Sequence, residues 1–137
     1  MPVIDTKLKL QLEGSGLHFE VSSHYLCGCV EFANGRSQVF YIDPTIDVVG
    51  DHEDHDIISP IVDLEHDERG VRNKSYELLR FSGTQRLGHV CVIGSMLVYK
   101  ADCSSNATPS AFRSVVEAVC RVADKLEKAI TGGVDAY

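Results

Sequence analysis

Residues 108–133 restrict the fold more than any other part of the chain, because they carry one unbroken amphipathic period with its own start and stop signals. Thr108 can cap exposed helix N–H groups, and Pro109 stands where a missing N–H costs nothing. Phe112, Val115, Val116, Val119, Val122, Ala123, Leu126 and Ile130 recur every three or four residues and form one stripe that has to be buried. Gly132 and Gly133 end the segment, since glycine enters a left-handed turn without steric cost. A long helix of about 109–131 therefore needs a broad apolar surface to lie on.

Strands are the natural source of that surface. Residues 7–13 alternate, with Leu8, Leu10 and Leu12 set between Lys7, Lys9, Gln11 and Glu13, which predicts a half-buried strand. Residues 17–21 alternate again after the break at Gly14, Ser15 and Gly16. Stretches 26–32 and 37–42 flank Asn34 and Gly35, the favoured pair for a type I′ hairpin. That turn would set Val30 opposite Val39, Glu31 opposite Gln38 and Phe32 opposite Ser37. One face then carries Val30, Phe32, Val39 and Tyr41 and seats a helix. The other carries Cys27, Cys29, Phe40 and Ile42, with Glu31 and Arg36 near the turn end, a mixed face whose apolar part, where its own helices leave it uncovered, is an interaction surface.

Residues 43–56 read as a connection crowded with Asp and His, and 57–62 as a strand that Pro60 interrupts and that lies at an edge or ends near there. Residues 63–70 are acidic and turn-like. Residues 74–81 fit a short helix, and its Tyr76, Leu78, Leu79 and Phe81 cover more of the circumference than one buried stripe needs. A second hairpin, 89–93 and 96–100, turns at Gly94 and Ser95, and a polar loop over 102–107 leads to Thr108. The expected architecture is α+β: one domain over 1–137, an antiparallel sheet with helices packed on one side and the long C-terminal helix across it.

Charge and chemistry narrow the function classes. A net charge of −7 argues against nucleic acid and against an anionic membrane surface, both of which call for basic patches. No apolar run approaches spanning length, and the N-terminus lacks the long apolar stretch of a signal peptide. The five cysteines are odd in number and show no CxxC spacing, so reduced thiols in a cytoplasm are expected. Residues 51–56, with His52 and His55 among carboxylates and His66 and Asp67 beyond, are the one tract resembling metal ligation; a solvated loop is the expected reading. There is no Gly-x-Ser-x-Gly elbow, and Gly14, Ser15 and Gly16 lack the lysine of a phosphate loop. We therefore expect no catalysis, no metal and no cofactor.

Five short stretches carry a resemblance. They are Gly35-Arg36-Ser37-Gln38-Val39, Ser59-Pro60-Ile61, Tyr76-Glu77-Leu78-Leu79-Arg80, Gly94-Ser95-Met96-Leu97-Val98, and Ala123-Asp124-Lys125-Leu126-Glu127 with residues 134–137 after it. In this order, over roughly 27–137, the chain resembles the type III secretion chaperone-like fold, in particular the YbjN-type family of small bacterial proteins. The resemblance implies an antiparallel sheet of about five strands with helices on one side, usually opened by an amphipathic helix and often assembled as a homodimer. It also implies binding of an extended polypeptide client without catalysis. A client would use a sheet edge, near Pro60 or at 7–13, and apolar surface around Phe40, Ile42, Tyr76 and Leu79. The alternatives are an acidic inhibitor or immunity-type protein that masks a basic partner with tract 47–68, and a small metal-dependent enzyme.

Overall fold

The computed structural model describes residues 6–21, 25–43, 47–49 and 52–131. Ten elements follow one another among these residues: α1 (Thr6–Ser15), β1 (His18–Val21), β2 (Leu26–Glu31), β3 (Ser37–Ile42), β4 (Asp47–Val49), β5 (His52–Asp63), α2 (Leu64–Thr84), β6 (His89–Ile93), β7 (Met96–Ser104) and α3 (Pro109–Thr131). The sheet is antiparallel throughout, in the order β1-β2-β3-β5-β7-β6, with short β4 paired to β5 off that path. The fold is α+β, with the long C-terminal helix packed on the sheet.

α3 forms as its signals predict. Thr108 Oγ1 accepts from the Ala111 N–H at 3.1 Å, and the Thr108 carbonyl accepts from the Phe112 N–H at 2.9 Å. Phe112, Val116, Val119, Cys120, Ala123 and Leu126 are buried in one core with Phe40, Ile42, Ile57, Ile61 and Tyr99.

α1 corrects the strand expected over 7–13, and with it the edge proposed there. Leu8, Gln11, Leu12 and Ser15 are buried, a helical spacing, while Leu10 turns outward. Alternating Leu and Lys is compatible with either period over so few residues; Gln11 decides it. From a helix its Nε2 reaches the carbonyls of Ser104 and Ala107, at 2.9 and 3.0 Å, and satisfies the chain just before α3.

The β2–β3 hairpin forms where expected but one residue out of register. The Gly35 N–H donates to the Phe32 carbonyl at 3.1 Å and the Phe32 N–H to the Arg36 carbonyl at 2.8 Å. This closes a three-residue loop with Gly35 at φ 84°, the arrangement of a type I turn followed by a left-handed glycine. Val30 now faces Gln38 and Gly28 faces Phe40. A one-residue slip moves every side chain of a strand to the opposite face. Phe40 and Ile42 therefore point into the core with no exposed surface, and Val39 and Tyr41 take the outer face. Gly28 makes the slip possible, because a side-chain carbon there would overlap the Phe40 ring.

β5 corrects two further expectations. It starts at His52, so the end of tract 43–56 is strand, and it lies between β3 and β7 instead of at an edge. Pro60 is tolerated in this interior strand because the ladders stop around it. Pairing to β3 ends at Tyr41 and Ile58, and the β7 register shifts between Pro60 and Val62. Side chains replace the missing backbone bonds: Ser59 Oγ donates to the Val39 carbonyl at 2.7 Å, and Gln38 Nε2 donates to the Pro60 carbonyl at 2.6 Å. α2 absorbs both the turn expected over 63–70 and the short helix over 74–81. Asp63 caps it, with Oδ1 accepting from the Glu65 N–H at 2.9 Å. The β6–β7 hairpin turns on Gly94 and Ser95 as predicted, Ile93 facing Met96.

Candidate functional site

Alternation along the strands sorts the sheet into two faces. The helix side takes Ile57, Ser59 and Ile61 from β5, and Leu97, Tyr99, Ala101 and Cys103 from β7. The other side takes Val39 and Tyr41 from β3, Asp56, Ile58 and Pro60 from β5, Met96, Val98, Lys100 and Asp102 from β7, and Cys91 and Ile93 from β6. This second face bends into a groove of about 320 Å³ lined by Tyr25, Tyr41, Ile58, Pro60, Ile93, Met96 and Val98. Its floor is recessed: Ile58 and Val98 are only 8% and 3% exposed although no helix lies over them among the described elements. Tyr25 and Tyr41 meet edge to face, with centroids 6.2 Å apart, and form one wall.

The groove ends in charge. Lys100 Nζ lies 3.2 Å from Asp56 Oδ2, and Asp102 is the cross-strand neighbour of Asp56. The hydrogen bond with Asp56, then burial and the Asp56 charge, push the Asp102 carboxyl up to about 6. Burial alone would raise Asp56, but hydrogen bonds from Asp102 and Lys100 and the Lys100 charge hold it below the usual carboxylate range. Burial opposes the charge on Lys100, and its hydrogen bond and ion pair with Asp56 more than compensate and raise its pKa. Burial raises the Cys91 thiol at the groove's outer strand, which keeps it protonated and a poor nucleophile at neutral pH. The face thus combines an apolar slot, one wall of it aromatic, with a carboxylate-rich end.

A larger hollow of about 610 Å³ lies between β2 and α3, and two of its charged lining residues pair with each other. Arg113 Nε pairs with Glu117 at 2.7 Å, and an Arg113 Nη donates to the Ser15 carbonyl at 2.8 Å, capping α1.

The surface residues expected from the sequence separate. Phe40 and Ile42 are core residues and cannot meet a partner, whereas Tyr76 and Leu79 are each 70% exposed on α2. α2 packs on the helix side, so its exposed pair and the groove belong to different faces. The Arg80 guanidinium lies 5.7 Å from the centre of the Tyr76 ring. Sequence reasoning missed Tyr25, Ile58, Met96 and Val98 as a site and set Tyr41 on the wrong face; Pro60 was the one local signal. Of the histidine-rich tract, Asp51 lies outside the described residues. His55 is buried on the core side, away from its neighbour Asp56. His66 lies on the surface of α2, 3.8 Å from Asp63. Among the described residues, no group of three or more His, Cys, Asp or Glu is placed to hold a metal ion, and no helix is long and apolar enough to cross a membrane. No protein-family model matches this chain, and no curated protein matches it.

Proposed function

We propose that this protein is a non-catalytic, chaperone- or adaptor-like module that holds an extended stretch of another polypeptide on the uncovered sheet face. The carrying observation is the recessed groove between Tyr41, Ile58 and Val98, apolar surface that the chain's own described helices leave uncovered. The sheet path ends at β1 and β6, and β6 presents Ile93 beside the groove, so a client can also add backbone hydrogen bonds at that edge. α2 pairs two copies through Tyr76 and Leu79, giving a homodimer with both grooves free. Five free thiols, two of them buried, suit a reducing cytoplasm.

The test is suppression of aggregation of a reduced, carboxymethylated protein that stays unfolded. Wild type is expected to suppress it, Tyr41→Asp to lose the effect while keeping its melting temperature, and Tyr76→Asp to sediment as a monomer. Full suppression by Tyr41→Asp overturns the assignment of the groove. A strict monomer at micromolar concentration in the wild type overturns the dimer.

A further inference from the structure

Cross-strand register arranges the uncovered face in rows. Ile93 and Met96 form the first, Cys91, Val98 and Pro60 the second, and Lys100, Ile58 and Tyr41 the third. Asp102 and Asp56 form the fourth, and Asp54 stands opposite Ser104 in the fifth. Residues two apart on one strand lie about 7 Å apart on the same face. The carboxylates therefore begin one such step beyond the last apolar pair, Ile58 and Tyr41.

The charge at that end does not balance. Asp54, Asp56 and Asp102 occupy the two rows beyond Lys100, whose ammonium pairs with Asp56. Asp102 stands directly across the ladder from Asp56. Its carboxyl, raised to about 6, shares a proton with Asp56 only below that pH, and at neutral pH both are mainly ionised. One lysine therefore stands against three carboxylates, which leaves room for an arriving ammonium or guanidinium. A second copy of this chain is a poor occupant for this end, because it brings a net charge of −7.

We propose that the uncovered face selects polypeptide segments in which an apolar side chain is followed, two residues on, by lysine or arginine. The apolar group fills the slot between Tyr41, Ile58 and Val98, and the cation lies against Asp54, Asp56 and Asp102. An extended segment running along the strands has the same spacing of about 7 Å between residues i and i+2, so one register satisfies both ends. This inference rests on the reading of the face as a polypeptide-binding surface. It adds the chemical class of the client: apolar and basic, not apolar alone.

Two fluorescein-labelled peptides test it, acetyl-Thr-Leu-Thr-Lys-Thr-amide and the same peptide with glutamate in place of lysine, titrated against the full chain by anisotropy. The lysine peptide is expected to bind about tenfold more tightly, the scale of one charge-assisted hydrogen bond set against one like-charge repulsion. Asp102→Asn and Asp54→Asn, both at accessible positions, are expected to shrink that ratio to about twofold, with secondary structure unchanged by circular dichroism. Tyr41→Ala is expected to weaken both peptides and leave the ratio intact. Equal binding of the two peptides by wild type, with both weakened by Tyr41→Ala, overturns the charge selection while the groove assignment stands. Binding of either peptide that Tyr41→Ala does not weaken overturns the placement on this face, and with it the reading on which the inference rests.

Discussion

Arg36 joins the turn end of the sheet to α3, and its removal has a cost that can be worked from the geometry. Its Nε donates to Asp124 Oδ1 at 2.9 Å and its Nη2 to Glu127 Oε1 at 3.2 Å. Asp124 and Glu127 are three apart on α3, so one planar guanidinium reaches both. The Glu127 side chain has no exposed surface, and those of Asp124 and Arg36 are 9% and 16% exposed. Taking one partner from a buried ion pair costs about 3–5 kcal/mol, mainly because the charge left behind remains desolvated. Partial access at Arg36, and Lys128 Nζ at 3.4 Å from Asp124, place Arg36→Ala near the lower end, at about 3 kcal/mol. A chain of this size has about 5–15 kcal/mol in total and loses a few degrees of Tm per kcal/mol, so Tm should fall by roughly 10 °C.

Urea unfolding at pH 7, followed by far-ultraviolet circular dichroism, measures this directly. Glu127→Gln in the Arg36→Ala background should recover about 1–2 kcal/mol, because it removes the charge that Arg36 compensated. Arg36→Ala within about 0.5 kcal/mol of wild type, the scale of an exposed ion pair, would refute the argument.

Gly28→Ala should cost at least about 1–3 kcal/mol in the same assay, because the new carbon overlaps the Phe40 ring and the His18 carbonyl; wild-type stability would mean that β3 is not held in this register. The raised pKa of Asp102 sets a pH dependence. Its stabilising contribution is complete below the unfolded value near 4 and is lost as pH rises through about 6. Asp102→Asn should therefore gain on wild type between pH 4 and pH 7; a urea-midpoint difference that stays constant across that window would refute the shared proton. Cys103 and Cys120, pushed up by burial to about 11 and about 12, should resist Ellman's reagent at pH 8 until urea is added, while the half-buried Cys27, Cys29 and Cys91 react in the native state, Cys27 and Cys91 slowly because burial raises their thiols too. Five rapidly reacting thiols would place the two buried ones at the surface.

Local signals were legible and long-range ones were not. α3 could be read to within a residue because its cap and stripe act within a few positions of the chain; Gly132 and Gly133 lie outside the described residues. The helix over Thr6–Ser15 could not, because seven alternating residues satisfy either period and the choice depends on Ser104 and Ala107, more than ninety positions away. Asn34 and Gly35 announce a hairpin truthfully, but they suit a two-residue I′ turn and a three-residue turn ending in left-handed glycine alike. The deciding residue is Gly28, a gap in an otherwise apolar strand that only Phe40 fills.

The candidate site follows the same division. Val39, Phe40, Tyr41 and Ile42 are consecutive, so β3 is apolar on both faces in any register. Such a strand must either be covered twice or leave an apolar face uncovered, and α3, the one helix whose signals are complete, can cover one side only. The existence of an uncovered apolar face is therefore legible from four residues. Its membership is not: one residue of slip exchanges Phe40 and Ile42 for Val39 and Tyr41. Ile58, Pro60, Met96 and Val98 then join through the order β3-β5-β7-β6, which no local pattern specifies. The carboxylate row is set the same way, since Asp56 and Asp102 lie in different stretches of sequence and meet only because Ile58 pairs with Lys100. A groove and its charged end thus depend on one ladder, β5 with β7, and a change that shifts that ladder moves both together.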